Sequence, residues 1–183
     1  MMELVYCGTD EGGQYMAAVE VVKMAHGHPR FWPHFRAWIN AEDTAAQVEV
    51  MAGLPVWVLK DKGAILGAIW VDNNDAHTVS IGIVKRKHLP PAVVLLALAM
   101  FRDRWVSDVF RLGTVDRILA VFDKANRPVR TMCEICGFRN DGILRHHVEI
   151  NGEWRDYELW TLLREDWEKR EKREVKDACH NNG

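Results

Sequence analysis

The chain has 183 residues, of which 48% are hydrophobic and 27% are charged, and its formal net charge at pH 7 is −2. This composition excludes disordered and fibrous proteins, and it is typical of one globular domain. The nearly balanced charge gives no general attraction to nucleic acid or to an anionic membrane. We therefore expect a single domain over residues 1–167, a charged C-terminal tail over residues 168–183, and no nucleic-acid or membrane partner.

The sequence also indicates a cellular compartment. The longest apolar run, Ala92 to Phe101, is about half as long as a membrane-spanning helix. The first residues lack the basic and apolar regions of a secretory signal. We therefore expect a cytoplasmic protein in which the four cysteines are reduced.

The predicted elements of the first half are one strand, two or three helices and a meander. "MELVYC" predicts a short strand, "QYMAAVEVVKMAHGH" a helix, and "PRFWPHFRAWINAEDTAAQVEVMAG" one or two short helices ending at Gly53. Three segments rich in Val, Ile and Trp follow: "LPVWVLKDKG", "AILGAIWVDNND" and "AHTVSIGIV". Turn residues separate them, so they predict an antiparallel three-stranded meander.

The predicted elements of the second half begin at a proline pair. "PPAVVLLALAMFRDRWVSDVF" predicts a long helix, and its broad apolar surface predicts burial against the sheet. "DRILAVFD" predicts a strand, "NRPVRTMCEIC" a short helix, and "GILRHHVEINGEWRDYELWTLL" two strands joined by a hairpin. Beyond Trp167 the sequence is almost entirely charged, which predicts a solvated or frayed end.

The segment from Asp116 to Trp167 carries a spaced pattern. A strand ends in Asn, the next helix closes on Gly-Phe eleven residues later, and a hairpin of the form G-x-L-R…G-x-W-x-D follows. The matching residues are Asn126, Gly137, Phe138, Gly142, Leu144, Arg145, Gly152, Trp154 and Asp156. This pattern and the order of elements resemble the GNAT superfamily of acyl-CoA-dependent N-acyltransferases, and within it the ribosomal-protein-alanine acetyltransferase branch. The resemblance implies an α/β fold of GNAT type, with a mixed, mostly antiparallel sheet flanked by helices.

The resemblance also implies a function. It points to transfer of an acetyl group from acetyl-CoA to a primary amine, directly within a ternary complex. The amine belongs either to a small molecule or to a protein N-terminus or side chain, and a homodimer is one expected oligomeric state. In the family two central strands splay apart around the coenzyme, next to an Asn that ends a strand. The cofactor-binding residues implied are Ile81, Gly82, Ile83, Val84, Arg86, Lys87, His88, Asn126 and Arg130.

The expected pyrophosphate loop departs from the family pattern R/Q-x-x-G-x-G/A. Counted from Arg86, its two glycine positions hold Leu89 and Pro91, with Pro90 between them, and proline has no N–H to donate. Two interpretations stay open. Either the charges of residues 85–88 replace the backbone donors at the start of the helix, or coenzyme binding is lost. In the second case the chain is a catalytically inert GNAT-fold protein with a binding or structural role, for example in a phage or an assembly.

Acyl transfer needs a base for the ammonium group and, helpfully, an acid for the leaving thiolate. Many family members place a Tyr seven residues after the Asn, and here that position is Cys133, whose thiol can in principle donate a proton. Ser80 stands where the branch often has Glu. We predict these two residues as catalytic, with the alternative that Cys133 is a small core residue. Further candidate acids and bases are His77, His146, His147 and Asp156.

Two other patterns bear on the site. The stretch "HGHPRFWPHF" predicts a loop that lines a substrate entrance, and the expected amine-contacting residues are His28, Phe31, Trp32 and Trp70. The C-x-x-C of Cys133 and Cys136 with His146 and His147 is a weak zinc pattern, because the cysteines lie inside a helix and adjacent strand residues point to opposite faces. A thioredoxin-like role is also disfavoured, since the pair ends its helix. We expect no metal.

Overall fold

A seven-stranded sheet forms the centre of the computed structural model, which describes residues 2–8, 11–29, 31–39, 41, 43–111 and 113–180. The strands are β1 (Met2–Tyr6), β2 (Val56–Asp61), β3 (Ala64–Asn73), β4 (Thr78–Lys85), β5 (Arg117–Asp123), β6 (Arg139–Ile150) and β7 (Glu153–Leu163). They lie in the order β1-β2-β3-β4-β5-β7-β6. Only β4 and β5 are parallel neighbours among these strands; the other pairs are antiparallel. The predicted α/β fold with a mixed, mostly antiparallel sheet is confirmed.

Helices cover both faces of the sheet. The helices of the first half are α1 (Glu11–His26), α2 (Trp32–Ile39) and α3 (Thr44–Ala52), and those of the second half are α4 (Pro91–Met100), α5 (Val106–Arg111), α6 (Arg127–Cys136) and α7 (Arg164–His180). Helices α1 to α3 pack on one face against Val56, Val58 and Trp70. Helices α5 to α7 pack on the other face, where Trp57 belongs to the core. The alternation along β2 follows from the two-residue period of a strand. None of the helices in the described ranges combines the length and apolar content needed to cross a bilayer.

The predicted long helix forms, but its burial differs from the expectation. Helix α4 continues through a π-helical turn (Phe101–Trp105) into α5. None of the ten α4 residues is fully buried, and Leu95 is 65% exposed. Burial begins at Phe101, whose ring stacks on Trp105 at 4.7 Å between centroids. The expectation of burial against the sheet was therefore wrong for α4, because that helix lies over a cavity rather than over the sheet surface.

The charged tail also differs from the expectation. Residues 164–180 form α7 rather than a frayed end. Trp167 is buried against Phe110, with ring centroids 5.4 Å apart. The Arg170 guanidinium donates to the carbonyl oxygen of Cys136 at 2.9 Å. Trp167 and Arg170 thus help to attach the charged helix to the domain.

Candidate active site

The divergence of β4 and β5 organises the candidate site. The two parallel strands pair only where Thr78–Ser80 lie beside Arg117–Leu119. Beyond that point β4 continues to Lys85 and β5 to Asp123. The edge of β4 therefore faces a gap instead of a neighbouring strand, and its backbone N–H and C=O groups there need another partner.

A cavity of about 740 Å³ lies at this gap. Its apolar walls come from β4, from the long helix and from α6, through Ile83, Val84, Val94, Ala97, Leu98, Phe101, Val129 and Met132. Its polar lining residues include His34, Asp123, Asn126, Asn151 and Arg155. An apolar cavity with a few converging polar groups is the usual form of a small-molecule site.

Some of the predicted cofactor residues line this cavity. Ile83, Val84 and Asn126 do so. Asn126 ends the loop after β5 and is the N-cap residue of α6. Among the described contacts of this helix, its side chain makes no capping hydrogen bond. The Asn126 amide is therefore not used by the helix, and it lies where a ligand in the gap would pass.

The side chains of other predicted cofactor residues do not line the cavity. Ile81 packs on the core of the α5–α7 face. Gly82 lies opposite Trp70 in the β3–β4 pair. Arg86 and Lys87 line a shallower groove beside the cavity, together with His28. The Arg86 backbone N–H donates to Leu66 O at 2.8 Å, so it belongs to the sheet rather than to an anion-binding loop.

The start of α4 is built around the two prolines. Pro90 is the N-cap residue, Pro91 begins the helix, and His88 before them has a left-handed φ of 64°. Helix N-termini bind anions through free N–H groups, and prolines supply none. The proline pair thus removes two backbone donors, and the local basic side chains are charged groups that can hold a phosphate in their place.

Arg130 pairs with a buried carboxylate. Its guanidinium donates to both oxygens of Glu158, from Nε at 3.0 Å and from Nη2 at 2.6 Å. Trp160 Nε1–H donates to the same carboxylate at 2.9 Å. These bonds, those from Arg130 foremost, lower the pKa of Glu158. Arg130 thus holds α6 to β7.

This pair gives a test that separates structure from cofactor binding. We expect Arg130→Met to lower the melting temperature at pH 7, because it leaves the Glu158 carboxylate buried without its main partner. A carboxylate with a lowered pKa contributes stability above its unfolded pKa and loses it as the pH falls, so the difference from the wild type should shrink below about pH 4. Thermal melts across pH check this, and the double variant with Glu158→Gln should recover stability. An unchanged melting temperature with at least about tenfold weaker acetyl-CoA binding would instead favour the cofactor role.

The two predicted catalytic residues do not line the cavity. Cys133 is 0% exposed, and burial raises the pKa of its thiol far above the ordinary value. It points into the core with Cys136, whereas Met132 of the same helix lines the cavity. Ser80 accepts a hydrogen bond from Asn74 Nδ2 at 2.7 Å. Neither residue stands where it can exchange a proton with a ligand in the gap.

The expected amine-contacting residues divide into two pairs. His28 and Phe31 line the cavity. Trp32 instead packs on His26, with ring centroids 3.9 Å apart. Trp70 is 3% exposed and packs between Phe35 and Trp38 in the core. The two tryptophans therefore build the scaffold behind the cavity rather than its surface.

The other candidate acids and bases are engaged at the surface. His77 contacts Thr114 O and the Asp116 carboxylate. Asp156 accepts from Lys124 and from the His146 backbone N–H, which lowers the pKa of Asp156. Across the described residues, no group of three His, Cys, Asp or Glu side chains is arranged to hold a metal ion.

A histidine that lines the cavity, and the tyrosine that contacts it, could not be identified from the sequence. His34 of α2 lines the cavity, and its Nδ1 lies 2.5 Å from the hydroxyl of Tyr157 on β7. Burial lowers the pKa of His34 and raises the pKa of Tyr157 to about 12. Asp123 and Arg155, which also line the cavity, act electrostatically on both. The only signal in the sequence was the histidine-rich stretch before α2, which indicated an entrance but no partner.

Comparison with known proteins locates the fold. No protein-family model matches the chain, and no curated protein matches its sequence. A spermidine N-acetyltransferase chimera from Vibrio cholerae and hSSAT shares the fold with a TM-score of 0.68 at 15% identity, over 91% of this chain and 98% of the other. The ribosomal-protein-S5-alanine acetyltransferase from Vibrio fischeri does so with a TM-score of 0.62 at 17% identity, over 91% and 93%.

A further solved structure contains the coenzyme. The microcin C7 self-immunity acetyltransferase, in complex with acetyl-CoA and AMP, has a TM-score of 0.63 at 16% identity, over 88% of this chain and 92% of the other. Identities this low concern the fold alone. The expected GNAT fold is therefore confirmed, and acetyltransferases of different substrates match it about equally well.

Proposed function

We propose that this chain is an N-acetyltransferase that uses acetyl-CoA bound at the gap between β4 and β5 and transfers the acetyl group directly to a primary amine. The observation that carries the proposal is the unpaired edge of β4 beside an apolar cavity. An extended amide-containing chain, such as pantetheine, can hydrogen-bond to such an edge as an added strand does. The structures of acetyltransferases that share the fold support the same assignment.

The residues present fit most of the coenzyme. The backbone of residues 81–84 would receive the pantetheine amides, and the Asn126 side chain would contact them from the opposite wall. Arg86 and Lys87 would hold phosphate oxygens by charge, in place of the N–H groups that the proline pair removes. The apolar wall of α4 and α6 would exclude water from the thioester.

For the acceptor we propose a primary amine, and the first to try is a protein N-terminal alanine. The pattern of Asn126, Gly137 and the Trp154-x-Asp156 hairpin supports the ribosomal-protein-alanine branch. One matching structure is an acetyltransferase for that alanine and another is a spermidine N-acetyltransferase, so both acceptors are amines. His28 and Phe31, which precede α2, and Asn151 of the β6–β7 turn line the cavity, and we propose that the amine enters beside them.

Calorimetric titration with acetyl-CoA tests the proposal. The wild type should bind, and its melting temperature should rise with coenzyme concentration, because a ligand of the native state stabilises it by mass action. Ala97→Trp fills the cavity from α4 and should weaken binding by at least about 100-fold, equivalent to ~2.7 kcal/mol.

Leu95→Trp is the matched control, since Leu95 lies on the same helix but is 65% exposed and outside the lining. It should bind acetyl-CoA as the wild type does. Absence of any binding to the wild type at millimolar acetyl-CoA would refute the proposal. Equal binding by Ala97→Trp would place the coenzyme somewhere other than the gap.

A further inference from the structure

We propose that His34 is the general base that takes the proton from the amine substrate, and that Tyr157 is the positioning residue that fixes its ring. This inference rests on the proposed acetyltransferase function and assigns a residue that the motif pattern did not contain. It replaces Cys133 and Ser80 as the site of proton transfer. The base would act from the amine side of the cavity rather than from α6.

The sheet register brings the necessary groups to one face. Asp123 of β5 pairs directly with Tyr157 of β7, so their side chains point the same way. Arg155 lies two residues before Tyr157 and shares that face. Helix α2 packs over this end of the sheet, and its His34 ring lies 5.9 Å from the Tyr157 ring. His34, Asp123 and Arg155 all line the cavity.

The hydrogen bond decides which ring nitrogen is free. Nδ1 of His34 lies against the Tyr157 hydroxyl, so Nε2 is the nitrogen left for the cavity. In the neutral ring, only one nitrogen carries a proton. If Nδ1–H donates to the Tyr157 oxygen, the lone pair is on Nε2 and can accept a proton. The reverse tautomer would offer only an N–H donor.

Burial keeps both members of the pair neutral near pH 7. Burial, the largest effect, lowers the pKa of His34, while the Asp123 carboxylate raises it and Arg155 lowers it. His147 of β6 also faces the Tyr157 ring at 5.2 Å between centroids. The Tyr157 phenol stays protonated because burial raises its pKa to about 12. Asp123 supplies the negative charge that attracts the incoming ammonium group.

The proposed acetyl transfer begins with removal of a proton from the amine. Nε2 of His34 takes one proton from the ammonium group, and the free amine attacks the thioester carbonyl carbon. A C–N bond forms, the C–S bond breaks, and the electron pair leaves with sulfur as thiolate. The nitrogen then loses a second proton as the amide forms. Of the two protons released from the amine, one is taken up by the thiolate and the other passes to solvent. General base catalysis of this kind contributes about 10² to 10⁴-fold.

Nitrogen NMR tests the tautomer without any amine substrate. In the 15N-labelled protein loaded with acetyl-CoA, the His34 resonances, assigned by their absence in His34→Gln, should show a protonated Nδ1 and an unprotonated Nε2. A protonated Nε2 at neutral pH would overturn the inference. That result, in a protein that binds acetyl-CoA, would leave the proposed function standing, whereas a failure to bind acetyl-CoA would refute the proposed function itself.

Kinetics give the second readout, with a peptide that begins with alanine and with spermidine as acceptors. We expect His34→Ala to lower kcat by at least about 100-fold with an unchanged KM for acetyl-CoA, and added imidazole to restore part of the rate. A base works unprotonated, so the wild-type rate should fall as the pH drops through a value below 6.5, the ordinary pKa of His, and His34→Ala should lose that limb.

Two variants separate positioning from general structural effects. Tyr157→Phe removes the acceptor for Nδ1–H of His34 and should lower kcat less than His34→Ala does. It should also change the pH at which the rate falls on the acid side of the pH–rate profile (the acid limb). His77→Gln changes an exposed histidine that comes just before β4, and this variant should behave as the wild type. A folded His34→Ala protein with near-normal kcat, or one that imidazole does not rescue and whose acid limb persists, would contradict the inference. If neither amine is acetylated, the tautomer measurement alone decides.

Discussion

Replacing Gly82 by alanine should destabilise the protein by at least about 3 kcal/mol, the upper part of the usual range for overpacking. A Cβ atom at Gly82 would overlap the indole ring of Trp70, its direct partner in the β3–β4 pair. The indole cannot move aside, because Phe35 and Trp38 pack on it at 6.1 Å and 5.6 Å between ring centroids. The glycine therefore makes room for the tryptophan beneath the strand whose other edge faces the gap.

Urea unfolding of the wild type and of Gly82→Ala measures the effect. Gly53→Ala is a suitable control, since Gly53 has a right-handed φ of −78° and a Cβ there would meet the nearest heavy atom at an ordinary 3.4 Å. Adding Trp70→Leu to Gly82→Ala should cost less than the sum of the single changes, because the two side chains compete for one space. Strict additivity, or a loss under about 1 kcal/mol, would show that Trp70 does not pack there.

The unfolding free energy should fall steeply with pH above about 8.5, the ordinary pKa of a thiol in the unfolded chain. Cys133 and Cys136 are fully buried, and burial raises both pKa values, that of Cys136 to about 12. Above the unfolded pKa the unfolded chain ionises its thiols while the native chain keeps them neutral, so stability present at neutral pH is lost as the pH rises. Each thiol should contribute a slope of about 1.4 kcal/mol per pH unit.

Denaturant titrations between pH 7 and pH 10 under reducing conditions check this slope. The titration ends at about pH 10, the ordinary pKa of a tyrosine. Above that pH, Tyr157, whose pKa burial raises, would add its own effect on stability. Cys136→Ala should lower stability at every pH, because it empties space in the core, but it should also remove about half of the alkaline slope. If the slope of stability against pH stays the same in Cys136→Ala, the Cys136 thiolate must form readily in the folded wild-type protein.

Much of the fold could be predicted because its signals are local. Gly137 stops α6 with a φ of 85°, and Phe138 N–H closes the turn onto Cys133 O, as the Gly-Phe pair indicated. The three-stranded meander follows from alternating β-formers and turn residues. The burial of α4 could not be predicted in the same way, since its composition indicates apolar contact but not whether a sheet or a cavity lies beneath.

The candidate site was harder to predict because it depends on long-range register. His34 and Tyr157 are 123 positions apart, and no spacing rule connects a helix residue with a strand residue at that distance. The position of Cys133 in α6 was predicted, but the direction of its side chain depends on helix phase. Val129 and Met132 line the cavity as well as packing in or on the core, whereas Cys133 and Cys136 lie in the core and do not line the cavity.

Helix α4 is a less rigid wall of the cavity than the strands opposite it. Leu96 is 48% exposed, the helix starts on a proline pair, and it ends in a π-helical turn. Segments with few buried apolar contacts open at a lower free energy than core strands do. Helix α4 should therefore move at a lower free energy than the other walls and set the width of the gap. The β5–β7 pair on the opposite side is held by the sheet. A ligand that enters the gap should therefore order α4 more than the other walls of the cavity. Slower amide exchange in α4 would be the first sign of its binding.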